Sequence, residues 1–382
     1  MQVLVIPSWY YTTDNPISGI FFKEQAKALA DTGQLQVVLM YGKFDWKESL
    51  GMNMQTDQKD GFLAIRGNGW APPKVTSVGI KLWLKKYLSL VEEGFEKAGK
   101  PDVVHAHSWV AGLVAKAIKA RYGIPYVLTE HLSSVNEARL SLRQQRLASR
   151  AYRAADGLTA VSHHMARQVE SLAGGHEVLV IPNSVDTDFF YPKDQVRLPP
   201  RVLLSIGDPW YKKGHDITIK ALAVLKSRGY YMELWLGDKI PGRAALEKEI
   251  CNLGLQEQVK FLGLLSREEV RQVMHKASIY ISASRVEPFG VTMIEALACG
   301  IPVIATRTAG GIDIIGDQKE LGQLVDIGRE TELANAVAEM VAHFDGYSPC
   351  LLHNKAKDRF SRRAIASSTI DVYKTVLHDN RA

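Results

Sequence analysis

The chain has 382 residues, a length that favours two domains of ordinary size over a single core. Hydrophobic residues make up 46% and charged residues 23% of the chain, which is typical of a globular protein and excludes a disordered or fibrous one. The net charge of +6 is shared evenly between the two halves, so we expect no basic arm for nucleic acid.

Cysteine usage and hydropathy indicate a cytoplasmic location. The 3 cysteines are widely spaced, which predicts neither a disulfide framework nor a zinc site and fits a reducing compartment. A strand-like run begins directly at Met1, so we expect no signal peptide. No apolar run approaches the roughly 18 residues that a membrane span needs.

Short apolar runs alternate with amphipathic helical patterns along the whole chain. The first run, QVLVIP, is followed by the helix-like GIFFKEQAKALADTG, and the same alternation returns at PDVVHAHS and at RVLLSIG. Continuous Val, Ile and Leu strands separated by helices are typical of parallel sheets covered on both faces. The sequence therefore predicts an α/β fold.

The alternation is interrupted once, between residues 186 and 201, where DTDFFYPKDQVRLPPR has three prolines and no period. This break predicts two Rossmann-like βα domains facing across a cleft, residues 1–190 and 198–360, one of which could hold a nucleotide and the other a second substrate. Residues 360–377 read as one further helix with apolar positions at Ile365, Ile370, Val372 and Val376. We expect the segment 361–382 to cross back to the first domain.

Two acidic residues flank a predicted helix start in the stretch SASRVEPFGVTMIEALACGIPVIAT, residues 282–306. Gly290 opens that helix, and the free N–H groups of Val291 and Thr292 would face an anion such as a diphosphate. Glu295 lies little more than one turn further on and leans back toward the same ligand, where a carboxylate suits a ribose diol. Glu287 lies on the preceding loop. The plainer alternative is two solvated glutamates near a helix start.

This stretch closely resembles the paired-glutamate motif of retaining glycosyltransferases with two Rossmann-like domains. These are the GT-B enzymes of family four, glycosyl transferases group 1. The resemblance implies that Glu287 binds the donor sugar and supports the developing oxocarbenium charge. It also implies that Glu295 binds the ribose, and that the backbone at Phe289, Gly290 and Val291 binds the rest of the donor.

Further segments resemble the same family in chain order. GIFFKEQAKAL resembles its glycine loop and first helix, DVVHAHS and LTEH its histidine strand ends, GDPWYKKGHD its phosphate loop, and TAGGIDIIG its glycine pair. The resemblance implies that His107 faces the donor sugar as a catalytic residue and that Lys213 binds the diphosphate. Further donor-binding positions implied in this way are Gly19, His131, Lys212, Gly310 and Gly311.

Three departures from the family pattern stand out. Asp208 follows Gly207 where the family often has arginine, which leaves Lys212 or Arg285 as substitutes. Asp313 stands where many members have glutamate. The first loop, PSWYYTTDNPISG, is long and aromatic and resembles a bacterial subgroup associated with surface-polysaccharide assembly.

Other polar residues have more than one interpretation. We interpret His105 and His107 as facing opposite sides of their strand, with His105 a hydrogen-bonded core residue. Asp186 and Asp188 spell a D-x-D motif, but they lie in the linker, so we expect no metal site there. Lys213 and helix N–H groups would meet the donor charge instead.

Two cationic segments suggest a surface role. The spacing of Arg139, Arg143, Arg146, Arg150 and Arg153 predicts one helical stripe, either a solvated face or a patch for anionic lipid or a diphosphate-linked acceptor. The segment KLWLKKYLSL, residues 81–90, reads as an interfacial segment or as a core-facing helix with exposed lysines.

The sequence thus predicts a retaining hexosyltransferase that needs no cofactor or metal. Its donor would be a UDP- or GDP-linked sugar and its acceptor a saccharide or a lipid-linked molecule. We expect it in cell-surface polysaccharide or glycolipid assembly, with possible peripheral contact to an anionic membrane at its cytoplasmic face and no nucleic-acid partner. The alternatives are a nucleotide-sugar epimerase or hydrolase on the same fold, and a non-catalytic nucleotide-sugar-binding protein. A dinucleotide oxidoreductase is disfavoured because no G-x-G-x-x-G follows the first strand.

Overall fold

The computed structural model describes residues 1–10, 19–193, 199–237 and 242–380. The chain divides into two compact units. Met1–Ser184 together with Arg362–Ala382 form the first unit, and Val185–Ser361 form the second. In the described part of the chain, no helix combines the length and the apolar character needed to cross a membrane.

The first unit contains an eight-stranded sheet in the order β3-β4-β2-β1-β5-β6-β7-β8. All neighbouring strands are parallel except the edge pair β3–β4, which is antiparallel. Its elements in chain order are β1 (Gln2–Pro7), α1 (Ile20–Ala30), β2 (Gln36–Asp45), β3 (Met52–Lys59), β4 (Phe62–Trp70), α2 (Ser77–Ala98), β5 (Val103–His107), α3 (Ser108–Tyr122), β6 (Tyr126–Glu130), α4 (Ser133–Asn136), α5 (Leu142–Tyr152), β7 (Gly157–Ala160), α6 (His163–Ala173) and β8 (Leu179–Val180).

The second unit contains a six-stranded parallel sheet in the order β11-β10-β9-β12-β13-β14. This is the doubly wound order of dinucleotide-binding folds, in which ligands bind beyond the carboxyl ends of the strands. Its elements are β9 (Val202–Ile206), α7 (Trp210–Lys213), α8 (His215–Ser227), β10 (Glu233–Gly237), α9 (Arg243–Asn252), β11 (Val259–Gly263), α10 (Arg267–Met274), β12 (Ile279–Ser282), α11 (Val291–Ala298), β13 (Val303–Thr306), α12 (Ala309–Ile314), β14 (Gly322–Val325), α13 (Glu330–Ala342), a 3-10 turn (Phe344–Gly346) and α14 (Pro349–Phe360).

The central strands of both sheets are covered on both faces, as their continuous apolar runs predict. Every residue of β5, β6, β12 and β13 is buried. Helices are the only elements that cover a parallel sheet in this way, because each crossover returns the chain over one face. The predicted α/β fold is confirmed.

The C-terminal segment differs from the single helix predicted for residues 360–377. The last helix is α15 (Arg362–Asp379), and α14 ends at Phe360, so one residue separates the two helices. Ser361 interrupts them because its backbone is extended, at φ −59 and ψ 153, and pairs with Val185 as a short bridge. The four predicted apolar positions of α15 are all buried, and its Tyr373 ring packs on His105 in the first unit.

The segment after Ser184 is held by α10. Asp186 forms an ion pair of 3.0 Å with Arg267, whose guanidinium also lies 4.5 Å from the centre of the Phe189 ring. His275 Nε2 lies 2.8 Å from the carbonyl oxygen of Tyr191. These contacts fix residues 186–191 on the second unit. The remainder of the predicted linker is only partly within the described residues, because 194–198 lie outside them.

Candidate functional site

The segment that carries both glutamates folds as the sequence predicts. The buried strand β12 ends at Ser282, a loop follows, and α11 begins immediately after Gly290. Gly290 has φ +100, and a Cβ there would lie 2.2 Å from Cε of Met293. A residue with a side chain would therefore be strained at this φ and would displace the end of the Met293 side chain. Glycine keeps the start of this helix open to a ligand.

Glu287 lies at the centre of the hydrogen-bonded loop before α11. Its carboxylate is 2.6 Å from Nζ of Lys213, and Oγ of Ser284 donates to the same oxygen at 3.3 Å. Only 9% of the residue is exposed. A buried carboxylate is stable only when it is paired, so Lys213 and Glu287 hold each other in place.

Lys213 reaches Glu287 from the end of α7. Its side chain runs over Gly207, where a Cβ would lie 2.6 Å from Cε of the lysine. Gly207 follows β9 directly, so the lysine crosses the carboxyl end of a central strand. This is the edge at which parallel sheets bind phosphates. The structure thus brings together Lys213, Glu287 and Gly290, three of the predicted site residues.

The glycine pair Gly310–Gly311 lies against the same loop. The amide of Gly310 donates to the carbonyl of Glu287 at 2.9 Å, and a Cβ at Gly310 would lie 1.7 Å from the carbonyl oxygen of Phe289. A Cβ at Gly311 would lie 2.2 Å from the carbonyl oxygen of Thr306. Both glycines are required because backbone meets backbone at the start of α12. They position the glutamate loop whether or not they also touch a donor.

Sequence reasoning missed Tyr280, which lies beside both glutamates. Its hydroxyl donates to Oγ1 of Thr292 at 2.7 Å, in the first turn of α11. Burial raises the pKa of Tyr280, and the nearby charges of Glu287 and Glu295 raise it further. Tyr280 is therefore a neutral donor at the floor of this region. The alternation of IYIS on a central strand was a usable signal, because Tyr280 and Ser282 must point to one face.

Arg285 is not a free cation for the donor. Its guanidinium forms two hydrogen bonds with the carboxylate of Asp216, at 2.8 and 2.7 Å, and lies 4.0 Å from the centre of the Tyr211 ring. The pairing with Asp216 raises the pKa of Arg285. Its amide also donates to the carbonyl of Lys212 at 2.8 Å, which ties the glutamate loop to the phosphate loop. Arg285 thus braces the site through Asp216.

The D-x-D motif is occupied by structural contacts. Asp186 binds Arg267, as described above, and its side chain accepts a hydrogen bond from the amide of Phe189 at 3.2 Å. Within residues 1–10, 19–193, 199–237 and 242–380, no group of three or more His, Cys, Asp or Glu side chains is arranged to hold a metal ion. Asp186 is thus explained by packing of the segment on α10, and Asp188 is exposed.

The first unit has its own cluster at the carboxyl ends of β5 and β6. His107 Nδ1 and His131 Nε2 are 2.9 Å apart, and both residues are buried. The Phe22 ring lies 5.0 Å from the His107 ring, and Phe21 lies 5.2 Å from His131. Gly19 begins α1 at φ +73, where a Cβ would meet backbone and side-chain atoms of Trp9 at 3.1 Å. The predicted residues Gly19, His107 and His131 thus lie in one region.

The two histidines are both uncharged near neutral pH. Burial lowers the pKa of His131 to about 3, and it lowers that of His107 well below its ordinary value. In a neutral pair, one ring donates to the other. The two outer nitrogens, His107 Nε2 and His131 Nδ1, are buried without a hydrogen-bond partner among the described residues. Whichever ring donates, the pair presents one N–H and one lone pair, on opposite sides of the pair because the ring centres lie 5.1 Å apart.

The prediction that His105 and His107 face opposite sides of their strand was wrong. Residues two apart in a strand point to the same face, and the two rings lie 4.2 Å apart. His105 is nevertheless a hydrogen-bonded core residue, as expected. Its nitrogens lie 2.6 Å from the hydroxyl of Tyr373 and 2.7 Å from that of Thr129.

Glu130 orients the end of β6 and was missed at the level of sequence. It is fully buried and accepts hydrogen bonds from the amides of Trp109, His131 and Leu132. The hydroxyl of Tyr152 donates to it at 2.6 Å. These four bonds fix the backbone of His131. Burial raises the pKa of Glu130, and the hydrogen bonds oppose that rise.

The five arginines do not form one helical stripe. Arg139 lies before α5 in a loop and pairs with Glu137 at 2.6 Å. Arg143 donates to the carbonyl of Val75, while Arg146 and Arg150 are exposed on α5. The helix begins only at Leu142 because Ser141 caps it with Gln144 in a reciprocal capping box. The segment 81–90 belongs to α2, whose Trp83 and Tyr87 face the core.

Comparison with known proteins places this site in a family. The family Glycosyltransferase Family 4 matches residues 21–189, and Glycosyl transferases group 1 matches residues 186–344. D-inositol 3-phosphate glycosyltransferase 2 of Catenulispora acidiphila is 29% identical over 320 residues, which cover 76% of this chain and 74% of that protein. A probable sucrose-phosphate synthase of Thermosipho melanesiensis is 25% identical over 354 residues, with coverage of 84% and 83%.

Solved structures share the fold. The sucrose-phosphate synthase from Thermosynechococcus elongatus superimposes with a TM-score of 0.78 at 18% identity, over 99% of this chain and 100% of that one. Anabaena HepE in complex with UDP superimposes with a TM-score of 0.74 at 19% identity, over 98% of this chain and 100% of that one. The chain has the GT-B fold, as the sequence predicts.

The fold and the family matches together define a retaining glycosyltransferase that uses nucleoside-diphosphate sugars. The chain belongs to glycosyltransferase family 4, the glycosyl transferases group 1.

Proposed function

We propose that this enzyme transfers a hexose from a UDP- or GDP-linked donor to an acceptor hydroxyl in the assembly of a cell-surface polysaccharide or glycolipid. The observation that carries the proposal is the ion pair between Lys213 and Glu287 beside the open start of α11. A cation, a buried carboxylate and free helix N–H groups meet at one sheet edge. That combination suits a diphosphate joined to a sugar.

The proposed donor roles follow from this arrangement. Lys213 would exchange part of its contact with Glu287 for the diphosphate. The N–H groups after Gly290 would bind phosphate oxygens, and Glu295 would accept hydroxyls of the ribose. Phe289 and Val291 would contribute their backbone, with Lys212 near the diphosphate.

Glu287 would stabilise positive charge as the bond between the sugar and the diphosphate breaks. The anomeric carbon then bonds to the acceptor oxygen, and the departing diphosphate takes the acceptor proton on the same face. This sequence retains the anomeric configuration and needs no covalent nucleophile. Positioning and charge stabilisation supply the rate enhancement.

In the first unit, the histidine pair would bind a sugar hydroxyl. The outer nitrogen that carries the proton would donate to a sugar hydroxyl, and the other could accept from a second one, because the two nitrogens lie on opposite sides of the pair. Gly19 would permit close approach of a ligand at the start of α1. His107 is the proposed catalytic member, and His131 supports it at 2.9 Å.

The printed names of the relatives also bear on the acceptor. D-inositol 3-phosphate glycosyltransferase and sucrose-phosphate synthase name small phosphorylated molecules, and the structure of a lipopolysaccharide outer core galactosyltransferase shares the fold at 14% identity. A phosphorylated or lipid-linked saccharide is therefore the acceptor class that we propose.

A donor screen tests the proposal. Purified protein is titrated with UDP, GDP and their hexose conjugates while its unfolding temperature is followed, since a ligand that binds only the folded state raises that temperature. We expect one base to be preferred, and donor turnover to persist in EDTA because the proposed site has no metal. Failure of every nucleotide sugar to bind would contradict the proposal.

Peripheral contact with an anionic membrane is part of the proposal. Val75, Val78 and Leu142 are 72%, 66% and 73% exposed, and Arg146 and Arg150 are exposed on the same helix as Leu142. Arg143 bonds the Val75 carbonyl, so the start of α5 lies beside the segment before α2. Apolar tips among cations suit the interface of an anionic bilayer.

Cosedimentation with phosphatidylglycerol vesicles tests this contact. We expect the double variant Arg146→Gln/Arg150→Gln to lose binding about thirtyfold, at about 1 kcal/mol for each charge, and high salt to weaken binding as well. The matched control replaces two exposed lysines of the second unit, Lys248→Gln/Lys319→Gln. Equal loss in both variants, or no binding by the parent, would refute the membrane contact.

A further inference from the structure

A cavity in the first unit lies at the carboxyl ends of β1 and β2. Its volume is about 140 Å³, which is room for several waters and therefore for a single sugar ring. Pro7 and Ser8 form one wall, the last residues of β2 form another, and the first part of α2 closes a third. None of the predicted site residues lines it.

The cavity wall is joined to the backbone at the end of β5, where His107 is the last residue. Oγ of Ser8 donates to the carbonyl of His107 at 2.6 Å and accepts from the amide of Ala111 at 3.0 Å. Ser8 and Ala111 both line the cavity. Ser8 thus connects the cavity wall to the end of β5, where the proposed catalytic residue His107 lies.

Aromatic rings form much of the cavity lining. Tyr41, Phe44, Trp83 and Tyr87 contribute, and the last three are buried. Tyr87 is fixed by its hydroxyl, which accepts from the amide of Gly42 at 3.1 Å. Rigid aromatic walls pack against the C–H faces of a sugar ring at little cost in side-chain entropy. The lining is therefore suited to a polyhydroxylated ring.

The cavity also carries an uneven charge. Lys43 lines the cavity, but its ammonium is paired at 2.7 Å with Glu48, which does not line it. Lys74 forms no ion pair with any described residue, and its ammonium lies 4.5 Å from the centre of the Trp83 ring. Asp45 is the acidic group of the lining, and one of its oxygens accepts from the amide of Lys47 at 2.7 Å.

Lys74 is therefore the cation available to a ligand. Removal of water from around its ammonium lowers the pKa of Lys74, and Asp45 only partly offsets this. An anion that enters the cavity would stabilise the charged form of Lys74. A phosphate bound to Lys74 would leave the attached ring against the aromatic wall.

We propose that this cavity is the acceptor subsite and that it takes a sugar or cyclitol ring carrying a phosphate. The phosphate binds Lys74, the ring packs on Trp83 and Tyr41, and a ring hydroxyl extends toward His107. This inference rests on the proposed transferase function, since it assigns the acceptor of that reaction. The same chemistry occurs in a free sugar phosphate and in a sugar joined to a lipid diphosphate.

A larger cavity of about 680 Å³ is a weaker candidate. It lies beside Gly157 and Leu179, the first residues of β7 and β8, and therefore at the amino ends of the strands. Ligands of open α/β sheets bind at the opposite ends.

Binding measurements on the full chain test the proposal. The probes are glucose 6-phosphate, glucose, inorganic phosphate, and glucose linked to a polyprenyl diphosphate in detergent micelles. Binding of UDP and GDP is measured on the same preparations. The variant is Lys74→Gln, and the matched control is Lys85→Gln, an exposed lysine on α2 outside the cavity.

We expect a phosphorylated ring to bind at least about tenfold more tightly than glucose or phosphate alone. Lys74→Gln should lose about tenfold or more of that affinity, the effect of one charge-assisted hydrogen bond. Lys85→Gln should bind as the parent does, and nucleotide binding should be unchanged in both. Binding of glucose 6-phosphate indicates a soluble acceptor, and binding of only the micellar probe indicates a lipid-linked one.

Two results would overturn the proposal. The first is a protein that binds UDP or GDP but none of the phosphorylated rings. The second is a Lys74→Gln variant that binds them as tightly as the parent. If the phosphorylated ring binds through Lys74 while no nucleotide binds, the cavity assignment stands and the proposed transferase function fails.

Discussion

Replacement of Glu287 by glutamine should separate donor binding from turnover. In the structure, Lys213 is held by Glu287 at 2.6 Å, and the two side chains are 22% and 11% exposed. A diphosphate must compete with the carboxylate for this lysine. Glu287→Gln removes the negative charge and keeps the shape, so Lys213 becomes available to the diphosphate. Affinity for the bare nucleoside diphosphate should rise while turnover falls.

The magnitudes follow from the pair. A hydrogen bond to a charged group is worth about 1.5–3 kcal/mol, and the glutamine retains part of it as a neutral acceptor. We therefore expect UDP or GDP to bind about three- to tenfold more tightly to Glu287→Gln. Turnover should fall by about 10²–10³, the usual cost of removing one group that stabilises transition-state charge.

Glu295→Gln is the matched comparison. It lies little more than one turn into α11 and is proposed to bind the ribose, so its replacement should weaken nucleotide affinity. Calorimetry with the nucleoside diphosphate gives the affinities, and initial rates with the nucleotide sugar give turnover. Loss of nucleotide affinity by the same factor in both variants would refute the division of roles. Tighter binding to Glu295→Gln would refute it as well.

Two further predictions concern packing and pH. Gly310→Ala should cost more than about 2 kcal/mol of stability and most of the activity, because its Cβ would meet a backbone carbonyl oxygen at 1.7 Å. The control is Gly346→Ala, because nothing lies within 4 Å of a Cβ at that position. Equal unfolding midpoints for the two variants would contradict this prediction. The pKa values of His105 and His131 are lowered to about 3 from an unfolded value near 6.5. The unfolded chain thus binds more protons below pH 6.5, so stability is complete above that pH and falls on acidification, by up to about 1.4 kcal/mol per pH unit for each histidine. Denaturation at pH 7.0 and 5.5 measures the loss of unfolding free energy. A double replacement of His105 and His131 should reduce this loss, and replacement of the exposed His343 should not. An unfolding free energy of the parent that is the same at both pH values would contradict the prediction.

The second unit was the more predictable part of the chain. In the second unit, Gly290 stands directly before an apolar helical pattern, so the sequence spacing predicted the open start of α11. The spacing did not predict the partner of Glu287, because Lys213 is 74 residues away and reaches it only once β9 and β12 lie side by side. Tyr280, by contrast, was missed although the alternation of IYIS places it and Ser282 on one face of the strand.

The first unit shows where sequence patterns fail. The edge strand β3 has few apolar residues, and the antiparallel pair that it forms with β4 was not foreseen. The arginine spacing suggested one helix, but the capping residue Ser141 starts α5 after Arg139. The cavity beside Lys74 joins residues from β1, β2, α2 and α3, and no local pattern reports a set drawn from four elements.

Transfer with retention requires that the product keep the anomeric configuration of the donor, and this configuration can be measured. The preferred nucleotide sugar is incubated with the protein and a phosphorylated or lipid-linked acceptor, and the anomeric proton is followed by NMR as the product forms. We expect a product with the anomeric configuration of the donor, formed together with nucleoside diphosphate and about 10²–10³-fold more slowly in Glu287→Gln. A product of inverted configuration would contradict it, as would free nucleotide and sugar released at the same rate without an acceptor.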